Sequence, residues 1–264
     1  MSPPGVKVER DRIPRWLSNY SYFKTNAETL TVSCLSSMQY SRALDRLLRK
    51  IVFADPALGP VYILKLDVSD GFYRIGIRLD DAPKLGLIFP SGDDEDPMVA
   101  ISLTLPMGWE NSPPLLCSAT ETVADLANES LRFHQPSRPH RVDNRAEAVA
   151  PPPALPLAKK HSQFTRNPYL QRTNEKLLAC VDVFVDDFLG MAQGPRHRRR
   201  HVRRTLFHAL DKVFRPLDRQ DSKQCKEVIS LKNMDAGDCS WSMCQTLIGW
   251  IFDSVNMTII LPLH

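Results

Sequence analysis

Apolar residues in this chain recur with two periods, and each predicts a different kind of element. Met38, Ala43, Leu44, Leu47, Leu48 and Ile51 fall at helical spacing and predict a helix over 37–53. Asp55-Pro56 and Gly59-Pro60 end it. Residues 61–67 then form a short, mostly apolar run that reads as a buried strand ending at Asp67. Residues 72–90 read as strands around a turn at Asp80-Asp81-Ala82-Pro83, 91–97 as an acidic loop, and 98–105 as a further strand. Ser112-Pro113 predicts a helix start, with Ser as the cap and Pro as the first helical residue. Leu116, Ala119, Val123, Leu126 and Ala127 give that helix its apolar face as far as about Phe133.

Leu178 to Met191 reads as a β-hairpin with Asp186 and Asp187 at its tip. Val202, Leu206, Ala209, Leu210, Val213 and Phe214 predict a second amphipathic helix. Strand-like pieces follow at 227–232 and 247–261, with a turn at Asp253-Ser254 or Asn256. Residues 134–168 interrupt the periodicity. They are rich in Pro and Arg, include Pro151-Pro152-Pro153, and predict a flexible insertion that buries too little apolar surface to order itself. The order of elements predicts an α+β fold: an antiparallel sheet with helices on one face.

At 264 residues the chain is long enough to bury a real core, and 43% hydrophobic residues is ordinary for a globular protein. The net charge of +4 permits a polyanionic partner without demanding one. The six cysteines include no CxxC pair, so neither a zinc site nor a disulfide framework is indicated. No apolar stretch reaches the ~20 residues of a membrane span. An intracellular protein, cytoplasmic or nuclear, with no membrane partner is the expectation.

Two acidic motifs carry the chemistry. One is Leu64-Lys65-Leu66-Asp67-Val68-Ser69-Asp70-Gly71-Phe72; the other is Val183-Phe184-Val185-Asp186-Asp187-Phe188-Leu189-Gly190. Each sets carboxylates at the end of an apolar run. Brought together at ~5 Å and an effective dielectric of ~20, each carboxylate pair repels by roughly 3 kcal/mol. Such a cluster must protonate or hold cations, and hard oxygen ligands favour Mg²⁺ or Mn²⁺. Two such ions ~4 Å apart serve phosphoryl transfer in polymerases. Between the motifs lies Leu105-Pro106-Met107-Gly108-Trp109-Glu110-Asn111-Ser112-Pro113.

The three segments, in this order, resemble the reverse transcriptases of retroviruses and Gypsy-like LTR retrotransposons. Asp67 and Phe72 match that family's Asp followed five residues later by an aromatic. Residues 105–113 match its LPxGWxxSP-like segment. Residues 184–187 match its Tyr-x-Asp-Asp hairpin, with Phe184 in place of Tyr. The resemblance covers roughly residues 10 to 262. It implies the palm of a right-hand polymerase with partial fingers and no thumb. The segments are then 1–60, partial fingers and a helix; 61–133, palm and fingers with the first catalytic Asp; 134–170, the insertion; and 171–264, palm with the Asp-Asp hairpin and primer-grip-like strands.

The resemblance also implies roles. Asp67, Asp186 and Asp187 are the catalytic residues, and Asp67, Val68, Asp186 and Asp187 the metal-holding positions for two ions. Arg15, Asp70, Gly71, Phe72, Gly108 and Trp109 are nucleotide-binding, with Phe72 as the gate that excludes a 2′-hydroxyl. The alternative for Phe72 and Trp109 is an ordinary core aromatic. Ser112 and Pro113 face the template. Arg198, Arg199 and Arg203 belong to a basic run that either grips nucleic-acid phosphates or is simply a solvated helix start. The expected activity is RNA-directed DNA synthesis, extending a primer on an RNA or DNA template with dNTPs. The rest of a retroelement polyprotein, or a second chain, is the expected source of a thumb. Two alternatives stay open: an inactive retroelement remnant that only binds nucleic acid, and a two-metal nuclease or phosphatase.

Overall fold

The computed structural model describes residues 4–7, 15–21, 24–30, 42–89, 96–133, 136–151, 162–163, 177–220 and 226–261. The first elements are β1 (Pro4–Lys7), β2 (Arg15–Ser18), α1 (Thr25–Glu28), α2 (Ala43–Phe53) and β3 (Tyr62–Asp67). Next come β4 (Leu87–Ile88), β5 (Val99–Ala100), α3 (Ser112–Arg132), α4 (Asp143–Ala148) and β6 (Ser162–Gln163). The rest are β7 (Ala179–Phe184), β8 (Asp187–Ala192), α5 (Arg196–Phe214), α6 (Leu231–Asp235), β9 (Cys244–Leu247), β10 (Trp250–Asp253) and β11 (Thr258–Ile260). The fold is mixed α+β with small antiparallel sheets. Its chain divides into two compact units: Met1–Met38 with Asp70–Ser118, and Gln39–Ser69 with Ala119–His264.

The first unit is built on two short antiparallel pairs, β1 with β2 and β4 with β5. Tyr20, Leu85 and Leu87 form a small apolar cluster on which Ile77 and Trp109 pack. The Tyr20 hydroxyl donates to the Leu85 carbonyl at 3.0 Å, so its polar end is satisfied inside that cluster. The strands expected over 72–90 and 98–105 are mostly absent. Gly71–Arg74 and Ala82–Leu85 are 3₁₀ turns. The extended remainder is β4, β5 and a single bridge between Gly76 and Thr104. Leu79, Ile101 and Leu103, which lie within those expected strands, are exposed.

The second unit is organised around a three-stranded sheet in the order β3-β8-β7. Ile63 pairs with Met191, Lys65 with Leu189, and Asp67 with Asp187, so all six side chains share one face. At the Ile63 end, this face packs against Leu47 and Ile51 of α2 and against Leu247 and Phe252 of β9 and β10. Asp182 of β7, opposite Leu189, also lies on it. That carboxylate is only 5% exposed and accepts from Arg46 of α2 at 2.6 Å and from Lys50 at 3.4 Å. Helix α5 lies against β7 and β8 with Val202, Leu206, Ala209, Leu210 and Phe214 buried, as its period predicted, and Phe207 buried beside them. Strands β9, β10 and β11 form a meander, and Asp253 accepts from the N–H groups of Val255 and Asn256 in its second turn.

Two expectations for the second unit need correction. Residues 227–232 are not a strand: Val68 bridges Ile229, and Ser230 then caps α6 by accepting from the Asn233 N–H. Within the expected flexible insertion, residues 136–151 pack onto the unit. Val142, Asp143 and Ala146 are buried there. Arg141 pairs with Asp211 and Glu227, and Arg145 with Asp235. Polar composition misled because these charges are spent on partners within the same unit. The other residues of the expected insertion, apart from β6, lie outside the described residues.

Candidate active site

Asp67 ends β3 and Asp187 begins β8, and the two are register partners. Asp186 precedes Asp187 in a hairpin whose closing pair is Phe184 and Asp187, so only Val185 and Asp186 make the turn. Val185 has φ 59°, in the left-handed region. A β-branched residue rarely adopts that conformation, and strain of this kind gathers at functional sites. The fold of the second unit therefore brings all three aspartates to one end of one sheet, Asp67 and Asp187 on the same face and Asp186 in the adjoining turn.

Their electrostatics follow from that crowding. Burial pushes the Asp67 carboxyl up to about 6, and the charges of Asp186 and Asp187 push in the same direction. Asn233 donates from Nδ2 to Asp67 Oδ2 at 2.5 Å and fixes the carboxylate's orientation. Val68 can offer only its main-chain carbonyl; it is buried and bridges Ile229. A half-buried set of hard oxygen donors, destabilised by its own charge, fits a divalent ion.

Three residues of the site were missed from sequence. Lys65 Nζ lies 3.3 Å from Asp187 Oδ1. Burial pulls its ammonium down, yet Asp187, Asp238 and Asp67 outweigh that and leave its pKa raised. Asp238 is a fourth carboxylate, pushed up to about 6 by burial and by Asp187 against the opposing pull of Lys65. The Cys239 N–H donates to the Lys65 carbonyl at 2.7 Å and so moors the turn bearing Asp238 to β3. Lys65 could have been found, since period two puts it on the face of Asp67. Asn233 and Asp238 sit in a short helix and a turn with no local signature.

The expected nucleotide-binding residues fall in the first unit. Asp70, at φ 55°, precedes the 3₁₀ turn that holds buried Gly71 and half-buried Phe72. Gly108 has φ 98°, a conformation that favours glycine. Asn26 spans the same loop, donating to the Gly108 carbonyl and accepting from the Glu110 N–H, each at 3.1 Å. The Trp109 indole packs on the apolar cluster and donates to Thr29 Oγ1 at 3.2 Å, which is the core-aromatic arrangement. Arg15 lies in β2, and its side chain falls outside the described residues.

The expected nucleic-acid contacts are corrected in part. Ser112 is fully buried and is the first residue of α3, not its cap; its hydroxyl donates to the Pro106 carbonyl at 2.7 Å. Pro113 follows it, partly buried. Arg203 is 4% exposed and donates to Glu147 Oε1 at 2.7 Å, so it is turned inward. Arg198 donates to the Leu177 carbonyl at 2.8 Å, and the Arg199 guanidinium stacks over Tyr62 at 3.8 Å. Cations at a helix N-terminus are unfavourable. Here α4 supplies the compensating charge: Glu147 binds Arg196, Arg200 and Arg203 together.

A second group has metal-ligand chemistry. His140, His208 and Asp211 bring ligand atoms within 4.8 Å of one another. That position already holds a cation, because Arg141 donates to Asp211 and its Nη1 lies 3.0 Å from His140 Nε2. Among the described residues, no helix is long and apolar enough to cross a membrane. Comparison of the chain with models of known protein families and with characterised proteins finds no match, so the reading of this site rests on its own residues.

Proposed function

We propose that the chain carries the palm of a reverse transcriptase and performs RNA-directed DNA synthesis by nucleotidyl transfer. One observation carries the proposal: Asp67 and Asp187 face each other as register partners, with Asp186 at the tip of the adjoining two-residue turn. The sequence resemblance, which spans the segment between them, supports it. Asp67, Asp186 and Asp187, with the Val68 carbonyl, would hold two Mg²⁺ or Mn²⁺ ions. When bound, those ions would supply the acidity for a primer 3′-hydroxyl and the charge to neutralise a triphosphate.

The chain's own residues do the positioning. Asn233 aims the Asp67 carboxylate, and the strained turn at Val185 presents Asp186 beside it. With its carboxyl raised to about 6, Asp67 is protonated only under mildly acidic conditions and would be ionised and able to hold a metal ion at neutral pH. The resemblance gives Arg15, Asp70, Gly71, Phe72, Gly108 and Trp109 to the incoming dNTP.

The test is Mg²⁺-dependent extension of a DNA primer on an RNA template by the purified chain. Asp186→Asn should cut extension by at least a thousandfold. Cleavage of nucleic acid without nucleotide triphosphates would point instead to a two-metal nuclease. Binding of primer and template with no chemistry in either protein would identify an inactive remnant.

A further inference from the structure

In the second unit three carboxylates, Asp187, Asp238 and Asp67, act on one ammonium, that of Lys65. Lys65 and Asp67 project from the same face of β3, and Asp187 stands opposite Asp67. From there Lys65 reaches diagonally to Asp187 at 3.3 Å, and its side chain is only 26% exposed. A second acceptor, Asp238, also acts on it. The Cys239–Lys65 backbone hydrogen bond holds the Asp238 turn against β3, and Asp238 interacts electrostatically with both Lys65 and Asp187. Asp187 therefore cannot give all its charge to a metal ion while it also holds Lys65.

We propose that Lys65 is an exchangeable counter-cation: it neutralises Asp187 until a divalent ion binds there, and then moves to Asp238. The inference rests on the metal-binding reading of the same aspartates. It explains why a partly buried lysine sits among metal ligands, where a fixed cation opposes the ions it adjoins. An ammonium displaced from Asp187 with nowhere to go would be left partly buried and unpaired, which is costly. Asp238 removes that penalty. Lys65 thus acts through Asp187 and is a positioning residue, with no role assigned to it at the reacting atoms.

The experiment is direct Mn²⁺ binding to the whole chain, measured by calorimetry and by loss of the free-ion paramagnetic resonance signal. Lys65→Met, of similar length and without charge, should tighten Mn²⁺ binding at least tenfold. Lys65→Arg should bind as the wild type does. Lys50→Met removes a lysine that pairs with Asp182 and serves as the control for net charge; its affinity should change less than twofold. In an Asp187→Asn background the Lys65→Met effect should vanish, as a double-mutant cycle requires for a residue acting through its partner. Unchanged or weaker binding in Lys65→Met, or equal tightening in both backgrounds, overturns the inference while leaving the metal site intact. A wild-type chain that binds no Mn²⁺ overturns both the inference and the polymerase reading. Thermal melting of each variant confirms that a folded protein is being compared.

Discussion

Ionising Asp67 works against folding. Its carboxyl is raised to about 6 in the folded chain, above the ordinary aspartate value near 3.8, so the folded state binds the proton more tightly than the unfolded state. Stability is therefore greatest below the unfolded pKa and falls as pH rises through about 6. Asp238 titrates in the same window and in the same direction. A rise of that size corresponds to roughly 3 kcal/mol, and solvent access reduces it to about 1 kcal/mol. Asp67→Asn should accordingly raise the unfolding free energy by about 1 kcal/mol at pH 7.5 and by little at pH 4, measured by urea titration without divalent ions. The amide can still accept from Asn233. An asparagine variant less stable at pH 7.5 would show that the carboxylate is held by favourable contacts and not by enforced crowding. Val185 makes a comparable case in the backbone. Val185→Gly should add about 1 kcal/mol of stability by releasing the left-handed strain, while its freer turn lowers extension activity. A variant with improved stability and full activity would mean that the strain does not serve the site.

Whole elements show where sequence reasoning succeeds and where it fails. Strand β8 is buried from Phe188 to Ala192 and reads as a continuous apolar run because both sheet faces are covered. Helices α3 and α5 show their period over many turns. The aspartates were found for a related reason, since each interrupts such a run at its end. Helix α4 has only six residues, too few to display a period, and its anchors are ion pairs to side chains 49 to 90 residues away. Composition alone reports such a segment as solvated. Residues 72–90 and 98–105 fail in the opposite sense: they read as strands, yet Leu79, Met98 and Leu103 are exposed, and an apolar residue without a covering layer does not make a strand. The importance of α4 can be measured. Glu147→Gln leaves the buried Arg203 without its carboxylate and should cost about 3 kcal/mol, seen as a lowered denaturation midpoint. The wild-type Glu147 carboxyl is held down at about 2, first by the hydrogen bond from Arg200. Its contribution is thus present above about 4.5 and is lost as pH falls toward 2. A Glu147→Gln variant as stable as the wild type at pH 7 would show that Arg203 finds other acceptors.

At the level of the entire chain, ligand and fold should be linked. Ions that bind the aspartates of the folded second unit stabilise it by mass action. At ten times the dissociation constant the gain is about 1.4 kcal/mol. Mg²⁺ should therefore raise the melting temperature of the wild type but not of Asp186→Asn. An equal rise in both would place the binding elsewhere.

Asn233 and Asp67 meet across 166 residues of sequence. β3 pairs with β8, its Ile63 bridges Ser242, and Val68 just beyond it bridges Ile229, all of which follow it far along the chain. During synthesis β3 emerges with neither neighbour and must wait for both. Closing loops of that length is slow, because their entropy is lost before their contacts form. The acidic cluster is consequently a late product of folding. A nascent chain cannot complete the surroundings of its aspartates until residues beyond the Asp-Asp hairpin have left the ribosome.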